Sequence, residues 1–206
     1  MAKVSVPLGF EIEEGYAAQG YRFIAGTDEA GRGPLCGPVC AAAVLLPLGI
    51  EIPGLNDSKK LSEKKREALF SIIKEKAITY AIAFASPAEI DEYNILNASQ
   101  LAMRRAVAGL SPVPDLLLVD GNIAREFPMT AVPIVKGDSK SPSIAAASVL
   151  AKVARDRLMV ELDKQYPMYG IAGHKGYPTK DHMDAVRRFG PCEIYRKSFL
   201  KFLDRE

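Results

Sequence analysis

The sequence predicts an α/β protein in which a mixed β-sheet is flanked by helices, with a mostly helical C-terminal portion. Short apolar runs of strand length alternate with longer stretches of helical pattern. The run from Val39 to Leu46 is continuously apolar, as expected of a strand buried on both faces. The length of 206 residues favours a single domain over 1–206, in which about 165–206 is the helical portion.

The first half of the chain predicts three strands and two helices. Tyr21 to Thr27 is a strand pattern, and Val39 to Leu46 is the next one. Ser62 to Lys76 has the apolar stripe of an amphipathic helix, and Ile78 to Ala85 returns as a strand. The residues Ser-Pro-Ala-Glu at 86–89 form a capping-box pattern, which opens a helix toward residue 108.

The second half predicts two more strands and then mainly helices. Asp115 to Val119 is a short buried strand, and Thr130 to Lys136 is a strand whose proline suggests a sheet edge or a bulge. A long helix is expected from Ser141 to about Gln165, with an alanine-rich face small enough for close packing on a sheet. Thr179 to Arg188 predicts a further helix, and the basic segment from Glu193 onward also has a helical pattern.

Composition and charge exclude several classes of protein. Apolar residues make up 48% and charged residues 25%, so a disordered or collagen-like chain is excluded. The net charge is only +2, but residues 1–138 carry −3 and residues 139–206 carry +5. This asymmetry predicts an acidic site for a metal beside a basic surface for phosphates.

The cysteines and the apolar runs indicate a cytoplasmic location outside the membrane. Three cysteines cannot all pair within one chain and do not have zinc-ribbon spacing, so a reducing compartment is expected. The longest uncharged run, from Gly33 to Ile50, contains three prolines and cannot form a membrane helix. The first residues also lack the apolar centre of a signal peptide.

Acidic residues stand at the ends of three predicted strands. Asp28, Asp120 and Asp138 each follow an apolar strand near a glycine. In open α/β sheets such strand ends line one edge, where ligands bind. Glu29 follows Asp28 directly, and because neighbouring strand residues point to opposite faces, the two converge only if the strand ends there.

A cluster of these carboxylates would need a cation. Two like charges at ~4 Å repel by ~4 kcal/mol at an effective dielectric constant near 20. Hard divalent ions with oxygen ligands, Mg²⁺ or Mn²⁺, fit such a cluster best. The alternative is that Asp120 and Asp138 are ordinary turn residues beside glycine, and the pattern alone leaves both interpretations open.

Other polar residues carry weaker signals. The Gly31-Arg32-Gly33 turn could be only a tight turn, or it could let a nucleic-acid backbone approach while Arg32 binds a phosphate. His174 and Tyr177 fit a loop, although the tyrosine could stack on a sugar or base. A set of C-terminal basic residues is either a solvated face or a binding stripe: Arg187, Arg188, Arg196, Lys197 and Lys201.

Several segments together resemble the signature of type 2 ribonuclease H. They occur in the family's order and extend from about Tyr21 to Phe199. The glycine turn with Arg32 fits type 2 better than type 3, and about 20 residues precede the first strand, where type 3 enzymes usually carry an extension. The matching segments are Asp28–Pro34, Gly37–Val39, Asn56–Leu61, Val119–Gly121, Lys136–Ser141, Ile144–Ser148, Ala151–Asp156, His174–Tyr177, Gly190–Cys192 and Arg196–Phe199.

The resemblance implies a ribonuclease-H-like fold and a monomeric endonuclease that cuts RNA paired with DNA. It further implies cleavage 5′ of single ribonucleotides in duplex DNA, leaving 3′-hydroxyl and 5′-phosphate ends, with two Mn²⁺ or Mg²⁺ ions. The implied catalytic and metal-binding residues are Asp28, Glu29, Asp120 and Asp138. The implied substrate-binding residues are Gly31, Arg32, Gly33, Lys140, Ser141, Lys152, Lys175 and Tyr177.

Two other functions compete with this one. A non-catalytic module could bind hybrids without using the carboxylates, although all four carboxylates are present. A small-molecule phosphohydrolase could share only the acidic edge, and would act on free nucleotides with little dependence on salt. The sequence departs from the family pattern at Cys36, where a small residue is commoner, and at Tyr195, where histidine is frequent.

Overall fold

A five-stranded sheet forms the centre of the protein. The computed structural model describes residues 8–204, so the expectation about the first residues of the chain lies outside this range. The strand order across the sheet is β3-β2-β1-β4-β5. The strands are β1 (Ile24–Ala30), β2 (Val39–Leu45), β3 (Thr79–Ala85), β4 (Leu116–Asp120) and β5 (Thr130–Ile134).

The sheet is mixed, as the sequence predicts. Strand β1 pairs antiparallel with β2, and β2 pairs antiparallel with β3. On its other side β1 runs parallel to β4, and β4 runs parallel to β5, which leaves Pro133 on an edge strand. Thr27 pairs with Val119, so the residues that follow them, Asp28 and Asp120, are neighbours at the same end of the sheet.

Helices cover both faces of this sheet. Helix α3 starts with the predicted capping box at Ser86 and is interrupted at Asn94, where φ is 66°. Residues 165–204 contain short helices rather than one continuous helix. The helices are α1 (Glu11–Ala17), α2 (Glu63–Lys76), α3 (Pro87–Ala108), α4 (Pro142–Gln165), α5 (Ile171–His174) and α6 (Lys180–Phe189).

Small residues let α4 lie directly on the sheet, as predicted from its alanine-rich face. A Cβ on Gly26 of β1 would stand 2.3 Å from the backbone nitrogen of Ile144. Ala145, Ala146 and Ala147 are fully buried with the β2 side chains in the apolar layer that also holds α2. Helix α3 closes the opposite face of the sheet.

Two sequence expectations about elements were wrong, and one helix was not predicted. The first strand is displaced to Ile24–Ala30, because Asp28 and Glu29 continue the pairing with β2. Helix α1 was not predicted, because its seven residues are too few to form a stable helix without tertiary packing. The segment from Glu193 onward has only a 3₁₀ turn at Lys197–Phe199 within the described residues.

The C-terminal segment is not helical because it pairs with a distant loop. The backbone nitrogen of Arg196 donates to the Leu35 carbonyl at 3.0 Å, and Gly37 donates to the Ile194 carbonyl at 2.8 Å. The side chains of Leu35, Tyr195 and their neighbours form a separate apolar cluster there. No helix among residues 8–204 is long and apolar enough to cross a membrane.

Candidate metal centre and nucleic-acid interface

Three aspartates converge at one end of the sheet. One carboxylate oxygen from each of Asp28, Asp120 and Asp138 lies within 4.8 Å of the others. Asp28 lies on β1, Asp120 ends β4, and Asp138 lies in the 3₁₀ turn after β5. This turn is tied to β4 because Oδ1 of Asp120 accepts a 2.7 Å hydrogen bond from the backbone nitrogen of Gly137. The predicted meeting of these three strand ends is therefore present.

The cluster resists ionisation without a cation. Burial, followed by the charges of Glu29 and Asp120, raises the pKa of Asp28 well above its ordinary value. Burial and the charge of Asp120 likewise raise the pKa of Asp138. A divalent cation would offset both effects, because it supplies the positive charge and the ligation that the buried oxygens lack.

Glu29 lies beside the aspartate cluster, and its role as a metal ligand stays a prediction. Strand β1 continues past it to Ala30, and its carboxylate is not one of the three aspartate carboxylates grouped within 4.8 Å. Its Oε1 accepts a 3.2 Å hydrogen bond from Arg32. Burial raises the pKa of Glu29, and the nearby Arg32 opposes that shift. Glu29 lines the same cavity as Asp120, so it stands at the border of the acidic cluster.

Lys59 lies beside the aspartate cluster, but it was not among the residues predicted for the site. Its ammonium lies 3.7 Å from Oδ2 of Asp138, while the side chain is 76% exposed. Partial burial lowers the pKa of Lys59, but the charges of Asp28 and Asp138 outweigh it, and the net pKa is raised. The signal was present in the Asn56–Leu61 segment, but no sequence proximity links that segment to the aspartates.

A cavity of about 340 Å³ adjoins the carboxylates. It gathers most of the residues predicted to bind substrate, together with three that were not predicted, Ala30, Ser58 and Lys59. The predicted residues that line it are Glu29, Gly31, Arg32, Gly33, Asp120, Lys152 and Tyr177. The acidic edge and the glycine turn therefore face one shared space.

The glycine turn is closely packed against its neighbours. Gly31 has φ of +97°, and a Cβ there would stand 1.9 Å from Nε of Arg155. A Cβ on Gly33 would stand 3.5 Å from the ring of Tyr177, which is 43% exposed. Position 31 requires glycine because of its positive φ and because a Cβ would meet Arg155, whereas Gly33 lies directly against the ring of Tyr177.

The remaining predicted substrate residues lie in different surroundings. Ser141 is fully buried, caps α4 and donates to Glu13, so we assign it to helix capping rather than to substrate contact. Lys152 Nζ lies 2.7 Å from Asp156, and Lys175 Nζ donates to the backbone carbonyl of Ala172. Lys140 lines a separate cavity of about 520 Å³ beside Asn56 and Lys60.

Two buried arginines hold the loops beside this cavity. Arg155 donates to the carbonyls of Cys36, Pro38 and Lys175. Arg196 donates to the carbonyls of Gly31, Arg32 and Gly37. Their exposures are 1% and 0%, so Arg196 cannot belong to a solvated basic stripe, and that expectation was wrong for this residue.

A mixed sheet with three carboxylates at one edge, next to lysine and arginine side chains, is the arrangement of a metal-dependent phosphodiester hydrolase. The donor set of buried carboxylates fits Mn²⁺ or Mg²⁺, which prefer oxygen ligands. The cationic residues beside it suit a polyanionic substrate.

Comparison with known proteins makes this class specific. A family model described as Ribonuclease HII matches residues 25–202. Ribonuclease HII of Vibrio campbellii is 58% identical over 198 residues, which cover 96% of this chain and 91% of that one. Ribonuclease HII of Ruminiclostridium cellulolyticum is 54% identical over 201 residues, which cover 98% of this chain and 78% of that one.

The fold agrees with this match. The crystal structure of ribonuclease H2 from Pyrococcus horikoshii is similar with a TM-score of 0.71 at 27% identity, covering 89% of this chain and 98% of that chain. The chain belongs to the ribonuclease HII family. It is therefore a nuclease of the ribonuclease H type, from a family that uses divalent metals and acts on RNA-containing nucleic acids.

Proposed function

We propose that this enzyme cuts the RNA strand of RNA–DNA hybrids and also cuts duplex DNA on the 5′ side of single embedded ribonucleotides. The products carry 3′-hydroxyl and 5′-phosphate ends. The observation that carries this proposal is the placement of three clustered aspartates beside a cavity that also holds Arg32 and Tyr177. Chemistry on a phosphodiester and recognition of one sugar can both occur in that space.

The metal-binding residues in this proposal are Asp28, Asp120 and Asp138, with Glu29 at their border. Two Mn²⁺ or Mg²⁺ ions bound there would supply an activated water and stabilise the departing 3′ oxygen. Asp120 is held in place by the backbone of the Gly137–Ser139 turn, which fixes its orientation toward the other two carboxylates.

The substrate-binding residues divide into two groups. Arg32 and the backbone of Gly31 and Gly33 contact the strand around the ribonucleotide, and Tyr177 packs at the sugar of the RNA–DNA junction. The 2′-hydroxyl is the group that distinguishes RNA from DNA at this position. A second group of lysines binds phosphates and makes affinity depend on salt: Lys59, Lys140, Lys152 and Lys175.

We further propose that residues 1–206 act as one catalytic domain and as a cytoplasmic monomer. The apolar cluster of the C-terminal segment supports this arrangement, because it contains Leu35 and Cys36 from the loop after the glycine turn. The described part of the substrate-binding portion, residues 165–204, thus packs through its own side chains on that loop and on Met159 of α4.

Cleavage of an end-labelled DNA duplex with one ribonucleotide tests the proposed activity. We expect one cut, 5′ of the ribonucleotide, with Mn²⁺ or Mg²⁺ and none with a chelator or in an all-DNA duplex. Asp120→Asn should abolish the cut, while Asp181→Asn, the same change on the exposed face of α6, should retain it. A duplex that is bound but left intact with either metal would favour a binding module, and turnover of free nucleotides would favour a phosphohydrolase.

A further inference from the structure

A buried histidine joins two tyrosines in the C-terminal portion. His182 is 0% exposed, its Nδ1 lies 2.9 Å from the Tyr177 carbonyl oxygen, and its Nε2 lies 2.9 Å from the Tyr195 hydroxyl. A carbonyl oxygen only accepts, so Nδ1 carries the hydrogen. In a neutral ring Nε2 then accepts, and the Tyr195 hydroxyl donates to it. The hydrogen bonds therefore run in one direction, from Tyr195 through His182 to Tyr177.

The surroundings of His182 favour this neutral form. Burial is the largest cause of the lowered pKa of His182, and a positive charge on His174, whose ring stacks on it at 4.0 Å, would act in the same direction. His174 is itself held by its own loop, since its Nδ1 accepts from the backbone nitrogen of Gly176 at 3.2 Å. Both histidines thus serve the loop that carries Tyr177 and do not face the carboxylates.

The loop depends on such contacts for its position. Lys175 and Gly176 have φ of 51° and 85°, so Tyr177 follows two residues in the left-handed region. The segment 175–179 has no regular secondary structure. Besides His182, the Tyr177 carbonyl accepts one hydrogen bond among the described residues, at 2.8 Å from the backbone nitrogen of Thr179. Backbone bonds also hold this loop, from Tyr177 to the His174 carbonyl at 2.9 Å and from Leu35 to the Gly176 carbonyl at 2.8 Å. His182 adds a side-chain bond at the residue whose ring lies next to Gly33.

We propose that Tyr195 and His182 are positioning residues for the ribonucleotide, acting through Tyr177. They hold its ring against the glycine turn. Among the described residues that line the cavity, Tyr177 is the one aromatic side chain. This inference rests on the proposed function, in which Tyr177 packs at the sugar of the RNA–DNA junction. Nothing in the sequence pattern connects Tyr195 with the site, because its hydroxyl acts through two intervening residues.

The chain offers a matched pair of substitutions for the test. Tyr195→Phe removes only the hydroxyl that donates to His182. Tyr169→Phe makes the same change in the same apolar cluster, but its hydroxyl donates at 2.6 Å to the Gly190 carbonyl and takes no part in the chain of bonds to Tyr177. Both variants are compared with wild type at a temperature where circular dichroism shows all of them folded.

We expect Tyr195→Phe to lower kcat on the single-ribonucleotide duplex about tenfold, as loss of one buried hydrogen bond permits, with KM changed less than about twofold. KM should change little because affinity comes mainly from phosphate contacts. Tyr169→Phe should keep kcat within about twofold of wild type, since a hydrogen bond away from Tyr177 does not orient the sugar.

A double-substitution cycle separates positioning from general loss of stability. In a Tyr177→Ala background the ring is absent, so adding Tyr195→Phe should reduce kcat less than about twofold. Equal fold losses in both backgrounds, or equal losses for Tyr195→Phe and Tyr169→Phe, would overturn the positioning role. If wild type leaves the single-ribonucleotide duplex intact, the proposed function itself fails, and the positioning role fails with it.

Discussion

Replacing Asp28 with asparagine should stabilise the metal-free protein at alkaline pH while abolishing its activity. The change removes one of three clustered charges but keeps an oxygen that can accept the 2.7 Å hydrogen bond from the backbone nitrogen of Glu29. At 4.8 Å and an effective dielectric constant near 20, each pair of carboxylates repels by about 3–4 kcal/mol. Asp28 takes part in two of the three pairs.

Two effects reduce the observable gain. Lys59, 3.7 Å from Asp138, offsets part of the repulsion, and a carboxyl with a raised pKa can take up a proton. We therefore expect the free energy of unfolding to rise by about 2–4 kcal/mol at pH 8 in a chelator. Mn²⁺ at 1,000 times its dissociation constant should reverse the order, since a ligand at that concentration stabilises the native wild type by about 4.1 kcal/mol.

The sign of the pH dependence follows from the raised pKa values. Burial, with the charges of neighbouring carboxylates, raises the pKa of Asp28, Glu29 and Asp138 in the folded state. Their contribution to stability is complete below the ordinary carboxyl pKa and is lost as pH rises through the folded-state values. Metal-free wild type should therefore lose stability toward pH 8, and Asp28→Asn should lose less.

Urea denaturation in a chelator between pH 5 and 8 measures this difference. Burial lowers the pKa of His182 to about 4, which gives the opposite slope below the ordinary histidine pKa. That slope is the same in both proteins and cancels in their difference. A variant less stable than wild type at pH 8, or a difference that does not vary with pH, would refute the electrostatic account of the cluster.

Three other substitutions test the supporting structure by thermal or urea denaturation. Arg196→Ala should lower the free energy of unfolding by about 3–5 kcal/mol, because three carbonyls lose a buried charged donor; an unchanged midpoint would contradict this. Gly31→Ala should lower the free energy of unfolding by more than about 3 kcal/mol, since a Cβ would meet Arg155. Gly121→Ala is the control: its φ is also positive but the space around it is open, so the loss should be about 1–2 kcal/mol. Equal effects of the two glycine changes would count against the packing argument. Ser141→Ala should lower it by about 1–2 kcal/mol through loss of the α4 cap, and an unchanged stability with reduced substrate affinity would restore the substrate role.

Local patterns in the sequence were enough for much of the fold. The capping box at Ser86, the fully buried strand Val39–Leu45 and the alanine face of α4 each follow from residues close together in the chain. The three aspartates were also recognisable, because each follows an apolar run in the sequence. Their convergence depends on the parallel pairing of β1 with β4, a rule of sheet architecture rather than of any single residue.

Long-range contacts decide what local patterns could not predict. The end of β1 was placed too early because Asp28 and Glu29 look like turn residues, yet pairing with β2 carries the strand past them. Lys59 reaches Asp138 from a segment about eighty residues earlier in the chain, so no spacing rule joins them. Arg196 looks like one member of a basic surface run, and only its three carbonyl acceptors show that it is internal.

The two halves of the site therefore differ in how they are built. The acidic cluster weakens the metal-free fold, because its carboxylates are buried near one another, and chemistry depends on that arrangement. The recognition loops strengthen the fold, because Arg155 and Arg196 satisfy six backbone carbonyls between them. Removing a charge from the first half should raise stability and abolish cleavage, whereas removing one from the second should lower stability. A substitution that lowers cleavage only on the single-ribonucleotide duplex would have to act between the two halves, at Tyr177.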